Sequence, residues 1–529
     1  MNLRSINYRG TFLCQIACVL SLATFALYPF SKSHAELRPN PLFCNHAVLQ
    51  QGAPVPIWGT ADEGEVVEVR FRGHQVSTTT KDGKWRVQLP AMRAGGPDTM
   101  TIQGENTIHL KDVLLGEVWI CSGQSNMERQ LGLRAGQQPI DNYEAEAARA
   151  NYPRIREFQV ARATSDTRLA EVSGAWKVCD PESVLDFSAV GYFFASELFQ
   201  AIDTPIGIIH TTLGGTPVQA WTSHEVQARY FPGTLAGQIK AIETYPARLA
   251  AYQAAEPSLL EQWREASLAA GQAGKKKPKR PRPPGNPATS KNRPAALFNG
   301  MIHPLIPYAF KGVIWYQGES NSGIPEALSY NQRFSAMIDS WRAEWGLHDF
   351  PFLFVQIAPH NWMNPEIREA QLQTLQTVTN TAMAVITDAG DPGDIHPTNK
   401  RPVGERLALA ARALAYGEAI TYSGPLYQSM RVEGKEAILT FTHCGSGLLA
   451  KGGPLKGFTL SGDGKSFLEA AARIEGDTVV VSSPEVDRPI AVRYGWKKIP
   501  EVNLYNREGL PASPFRTDAP IIKPYKASE

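Results

Sequence analysis

The sequence predicts an α/β protein: an open, mainly parallel sheet with helices on both faces, flanked at either end by a β-rich unit. Three observations predict it. Between residues 113 and 417 short apolar runs alternate with stretches at helical spacing. Before and after that span, strand and turn signals dominate. A chain of 529 residues exceeds one ordinary core, and no internal repeat divides it. Its 43% hydrophobic and 20% charged content belongs to a folded globular chain, which excludes a disordered one.

The first 35 residues read as an export signal. Arg4 and Arg9 give a positive start, residues 11–30 are almost all apolar, and Ser33 and Ala35 supply small residues at the −3 and −1 positions. Cleavage after Ala35 is expected, with export to the periplasm or the extracellular space. The competing reading is a membrane anchor. No later stretch is apolar enough to span a bilayer, so stable membrane insertion is not expected after cleavage. Losing Arg4, Arg9 and Lys32 takes the net charge from +2 to −1, which gives no argument for nucleic acid as a partner.

Residues 36–112 carry short strands and turns. Residues 66–71 partly alternate, and Asp82-Gly83 between 77–80 and 85–89 is a hairpin signal. A β-sandwich-like unit is expected there. Buried strands are expected at 113–121, 206–210, 312–316, 352–357 and 383–387, with helices at 189–202, 330–345, 366–379 and 402–416. Pro402 opens the last helix and Gly417 lies just past its end. An insertion over 225–296 interrupts this span of 113–417. It reads as one or two polar helices over 237–271 and then a basic, Pro-rich run, 275–285, expected to be a solvated, mobile loop. A second β unit is expected over residues 418–529, where strand signals return.

Six cysteines are present, two of them in the leader. Cys44, Cys121, Cys179 and Cys444 are far apart without CxxC spacing, so neither a disulfide framework nor a zinc site is implied. Cys121 reads as a core residue, and one bridge among the others stays open.

Four segments carry chemistry. Gly123-Gln124-Ser125-Asn126-Met127 ends the first core strand, with a helix expected from Glu128. A serine at the carboxyl end of a parallel strand sits where open α/β sheets place ligands. Alone, it reads equally as a helix cap. His210-Thr211-Thr212-Leu213-Gly214-Gly215-Thr216 follows the second strand, and its paired glycines can bring N–H groups to an oxyanion or simply make a turn. Trp315-Tyr316-Gln317-Gly318-Glu319-Ser320-Asn321 follows the third. There Gln317 offers an amide donor, Glu319 a substrate or orienting contact, and Trp315 an aromatic face for a sugar. Asp391-Pro392-Gly393-Asp394-Ile395-His396-Pro397 precedes the last helix, where a carboxylate can hold an imidazole as a base for Ser125.

Together with the following Thr398-Asn399-Lys400, and with Gly116-Glu117-Val118-Trp119 and Arg493-Tyr494-Gly495-Trp496, these ordered motifs resemble the sialate O-acetylesterases, a carbohydrate-esterase branch of the SGNH hydrolases. The resemblance implies a flavodoxin-like three-layer core and removal of O-acetyl groups from a carbohydrate, sialic acid or a plant polysaccharide. It implies Ser125 as nucleophile and His396 as general base. The backbone N–H of Ser125, that of Gly215 or Gly214, and the Gln317 amide would form the oxyanion hole. Gln124, Glu319 and Trp315 would contact substrate. The superfamily often places the acid three residues before the histidine, which here is Gly393. Asp394 is therefore the expected acid and Asp391 the alternative. No metal or organic cofactor is implied. The competing class is a carbohydrate-binding protein with a vestigial site.

Overall fold

In the computed structural model, residues 36–518 other than His348 are described. The expected leader, 1–35, lies outside the described residues. The core is a mixed α/β assembly around one large sheet. Six parallel strands run in the order Tyr152–Gln159, Ile206–Thr212, Thr107–Gly123, Gly312–Tyr316, Phe352–Val355 and Thr381–Ala384. Trp176–Cys179 adds an antiparallel edge beside Tyr152–Gln159.

The central strands form because their side chains are apolar on both faces. Every residue of Ile206–Thr212, Gly312–Tyr316 and Phe352–Val355 is buried, the pattern of a parallel sheet covered by helices. Helix Ala189–Ile202 starts where Ser188 Oγ accepts from Gly191 N, and stops at Asp203 in the left-handed region. Helix Arg401–Tyr416 has Pro402 in its first turn and ends at Gly417, φ 71°.

Two strands stop short of their apolar runs. The N–H of Ile357 donates to Gln371 Oε1 at 3.0 Å, and the Val385 carbonyl accepts from Arg406 at 2.7 Å. Side chains from the covering helices have taken the backbone groups that a longer ladder would use.

The N-terminal strands differ from expectation at one point. Asp82-Gly83 does make a tight turn, closed by paired Lys81–Lys84 backbone bonds of 2.9 and 3.0 Å. Its two strands then part. His74–Thr79 pairs with Val66–Phe71, across Arg72-Gly73, whereas Lys84–Leu89 pairs with Val55–Thr60 in another sheet. The turn is therefore a corner between sheets and not a hairpin, because local dihedrals set the turn while inward-facing Trp85, Val87 and Leu89 choose the partner. The 17-residue strand Thr107–Gly123 pairs antiparallel with Gly95–Gln103 at its start and parallel inside the central sheet at its end. One strand thus runs through the expected 112/113 boundary.

The insertion holds a 41-residue helix, Pro232–Gln272, with Pro246 and Pro257 inside it and Ser267 its only buried residue. The basic run that follows is exposed and lies back along the helix, with Trp263 Nε1 donating to the Pro278 carbonyl at 2.9 Å. After residue 418 come two four-stranded sheets, Leu426–Glu433 with Glu436–Thr442, Thr478–Ser482 and Ala471–Glu475, and Leu468–Glu469 with Phe458–Ser461, Ala491–Tyr494 and Phe515–Arg516. This unit is tied to the core by a bidentate Arg516–Glu369 pair at 2.6 and 3.0 Å. Cys44, Cys121, Cys179 and Cys444 are free thiols, and Cys121 is a fully buried core residue.

Candidate active site

Strand Thr107–Gly123 is the middle of the sheet; the connection from its end runs to Tyr152–Gln159 on one side, while that from its neighbour Ile206–Thr212 crosses to Gly312–Tyr316 on the other. Its carboxyl end therefore lies at a topological switch point, where adjoining connections diverge and leave a crevice. Gly123 closes the strand at φ 136°. A Cβ there would meet the Tyr316 carbonyl oxygen at 2.2 Å, so only glycine permits this approach. Gln124 N then donates to Tyr316 O at 2.9 Å, and the chain turns into the helix Ser125–Glu128. The helix expected from Glu128 is thus a single turn that begins at Ser125 itself, too short to contribute a useful dipole.

Ser125 and His396 line the same cavity, of about 430 Å³. Gln124, Glu128, Arg134, Arg162, Gly214, Gly215, Lys291, Glu319, Ser320 and Ile395 line it with them. The sheet has brought together three of the four segments across some 270 residues of chain, and the Gly-Gly turn completes the wall.

His396 sits in an irregular loop. Its Nδ1 is 3.7 Å from Asp394 Oδ1, and the same oxygen accepts from the His396 N–H at 2.8 Å. Asp391 instead accepts from Gly393 N and Asp394 N and faces solvent. Asp394 is the carboxylate at the imidazole. Burial, then the Lys400 ammonium, then Arg134 and Arg129 depress the His396 pKa against the opposing pull of Asp394. A neutral imidazole at neutral pH is the form that accepts a proton.

Gly214 presses on the serine: a Cβ there would lie 3.1 Å from Ser125 Cβ and 2.8 Å from Glu128 Oε2. Lys291, from the end of the insertion, donates to the Gly214 carbonyl. Glu128 is nearly buried and holds Arg134 at 3.1 Å and Arg162 at 2.7 Å, which gives the cavity a charged rim. His210, by contrast, is fixed inside the sheet by Glu157 at 3.0 Å and Thr212 at 2.7 Å.

Two expected contacts are not where the motif suggested. Trp315 is fully buried among Trp221, Phe334 and Trp341, on the covering-helix side of its strand, and presents no face to a sugar. Gln317 is also fully buried. Its Nε2 donates to Asn321 Oδ1, Thr216 O and Gln124 Oε1, and its Oε1 accepts from Tyr330. An amide with its donors taken braces the floor and is not an oxyanion donor in this arrangement. Gln124 and Glu319 do reach the cavity.

Sequence reasoning passed over Asn126 and Lys400. Lys400 is 1% exposed and its Nζ donates to Asn126 Oδ1 at 2.5 Å. Asn126 Nδ2 donates to Glu319 Oε1 at 2.5 Å and to Ile395 O at 3.0 Å. Burial lowers the Lys400 pKa to about 7 and raises that of Glu319. Both missed residues stood inside the quoted motifs, Asn126 beside the serine and Lys400 four after the histidine. A polar residue at each end of a site motif was the available signal.

The family described as carbohydrate esterase, sialic acid-specific acetylesterase, matches residues 115–247 and 293–413, on either side of the basic run. Sialate O-acetylesterase of Rattus norvegicus is 32% identical over 445 residues, covering 75% of this chain and 77% of the relative. The Homo sapiens sialate O-acetylesterase is 30% identical over 444 residues, with 75% of each chain covered. Among solved structures, a carbohydrate acetylesterase from Xanthomonas citri is 37% identical, with a TM-score of 0.76 over 91% of this chain and 99% of its own.

Proposed function

The chain belongs to the sialic acid-specific acetylesterase family of carbohydrate esterases, and from that premise we propose a serine acyl-transfer mechanism at the Ser125 cavity. The enzyme is a carbohydrate O-acetylesterase. Its SGNH-type layering, with helices on both sheet faces, is part of the same reading. The observation that carries it is the shared cavity of Ser125 and His396, with Asp394 at the imidazole.

His396 takes the Ser125 proton as the hydroxyl oxygen attacks the acetyl carbonyl. The tetrahedral oxyanion forms, the sugar oxygen leaves with the proton from His396, and an acetyl-serine remains. Water, deprotonated by His396, attacks that ester, and acetate departs as the proton returns to Ser125. Asp394 orients the imidazole and favours its charged form in the transition state. The Ser125 N–H is one oxyanion donor. Support for Gly215 N–H as the second comes from its place in the cavity wall, beside Gly214 and Ser125.

Support for a carbohydrate over a lipid comes from the charged side chains in the lining, Glu128, Arg134, Arg162, Lys291 and Glu319. Glu319 and Gln124, which also lines the cavity, are the expected contacts for a sugar. Acetylated sialic acid and acetylated plant polysaccharides both satisfy this chemistry. Action outside the cytoplasm is part of the proposal and rests on residues 1–35. A mature chain beginning at Glu36 would bear that out, and retention of the leader would count against it.

Acetate release from a panel of acetylated glycans, with wild type and Ser125→Ala compared, tests the whole reading. Ser125→Ala should release no acetate while keeping its fold. Undiminished turnover removes Ser125 from the mechanism. Glycan binding by a wild-type protein inert to a serine-directed phosphonate would favour a vestigial site.

A further inference from the structure

Acyl transfer as described leaves Asn126 and Lys400 without a task, although each is 1% exposed. We propose that Asn126, Glu319 and Lys400 form a buried clamp that positions His396 against Ser125, with Lys400 its cationic member. The proposal rests on the Ser125–His396 reading above and adds Asn126 and Lys400, which that reading does not use.

One amide joins three loops. Asn126 follows the nucleophile directly. Its Nδ2 reaches the carbonyl of Ile395, the residue before His396, and also Glu319 from the loop after Gly312–Tyr316. Its Oδ1 receives Lys400, the residue just before helix Arg401–Tyr416. The histidine loop has no regular structure of its own. Its position relative to Ser125 therefore depends on such side-chain ties.

The polarity of the clamp is matched. The amide oxygen meets the ammonium and the amide nitrogen meets the carboxylate, so rotating Asn126 by half a turn would break both charge-assisted bonds. The Lys400 ammonium also lies 5.5 Å from the Tyr316 ring centre. A lysine withdrawn this far from water is costly unless paired, and replacement by a neutral side chain would relieve that cost. Lys400 does not line the cavity, so it acts through Asn126 and through its field.

That field has a definite sign. The groups facing His396 are Lys400, Arg134 and Arg129, which disfavour its protonation, and Asp394, which favours it; burial disfavours it most. Around Lys400, burial and Arg129 disfavour the ammonium while Glu319 and Asp394 favour it, with the balance at about 7. Below that pH, where His396 titrates, the ammonium is present. Removing it raises the imidazole pKa and moves the acid limb of the pH profile toward higher pH.

The experiment measures kcat and KM on 4-nitrophenyl acetate across pH for wild type, Lys400→Gln, Asn126→Ala and Ser125→Ala, with melting curves for each. Lys400→Gln can still donate to Asn126. It should keep kcat on the alkaline plateau within several-fold while the acid limb of kcat/KM moves up by about half a pH unit. Asn126→Ala, which frees the histidine loop, should lose roughly tenfold or more in kcat with a smaller change in KM. An unmoved limb in folded Lys400→Gln, or an Asn126→Ala that raises KM and leaves kcat alone, overturns the clamp. If Lys400→Gln does not fold, Lys400→Met is read for the same limb, and Asn126→Ala stands independently. Full turnover in Ser125→Ala would instead sink the underlying mechanism, and loss of turnover there with an unmoved limb sinks the clamp alone.

Discussion

The nucleophile turn and the histidine loop solve the same problem by different means. Ser125 is held by backbone. The strand before it lies between two parallel neighbours, Gly123 packs on Tyr316, and Gln124 N is bonded to the Tyr316 carbonyl. His396 is held by side chains. Asp391 and Asp394 cap its loop from within, and Asn126 and Lys400 tie it from outside. Changing a polar side chain therefore disturbs the base before it disturbs the nucleophile. Changing a glycine does the reverse.

Four outcomes sharpen or break this contrast. The largest effect belongs to Ser125→Ala, with kcat reduced by about a thousandfold or more and an unchanged melting temperature. Equal loss of fold and activity would mean that the serine also holds the turn. Next, Gly123→Ala should unfold or destabilise the protein by roughly 3 kcal/mol or more in denaturant titrations, since the new Cβ meets backbone at 2.2 Å. A stable, active Gly123→Ala would show that the strand end has slack. Asp394→Asn should cost roughly tenfold or more in kcat, and Asp391→Asn clearly less. The reverse ranking would move the acid to Asp391. The smallest effect is removal of residues 275–285, which lie outside the cavity. Turnover of 4-nitrophenyl acetate should stay within about twofold, and a large loss would tie the basic run to the site.

The pH profile belongs to the same contrast. With the imidazole pKa depressed, the neutral base persists below 6.5, and kcat/KM should fall only as pH drops through the lowered value. A limb at or above 6.5 would place His396 in a wetter setting.

Much of the fold was legible because it is locally decided. Helices Ala189–Ile202 and Tyr330–Trp345 and strand Gly312–Tyr316 fall at the expected boundaries. Their signals, Ser188 before the first helix, Gly346 after the second and an unbroken apolar run, act within a few residues. Motif order led to the expectation that Ser125 and His396 would meet, and they line one cavity with Asp394 beside the imidazole. Misreadings began where distant partners decide. Asp82-Gly83 makes its turn but not its hairpin, and the strand at 352–357 ends early because Gln371 claims its backbone.

What the sequence alone determined, then, is five of the six parallel core strands, Tyr152–Gln159 being the one it missed, the limits of the longer core helices, and the four segments that meet at the cavity. Apolar patterning and backbone dihedrals act over short stretches and are written there. Only the tertiary structure decided that Trp315 faces the helices, that the Gln317 donors are taken, and that Lys400 meets Asn126 across 274 residues of chain. A hydrogen-bonding group takes whichever partner the fold brings within about 3 Å, and that partner is set by juxtaposition, not by neighbours in sequence.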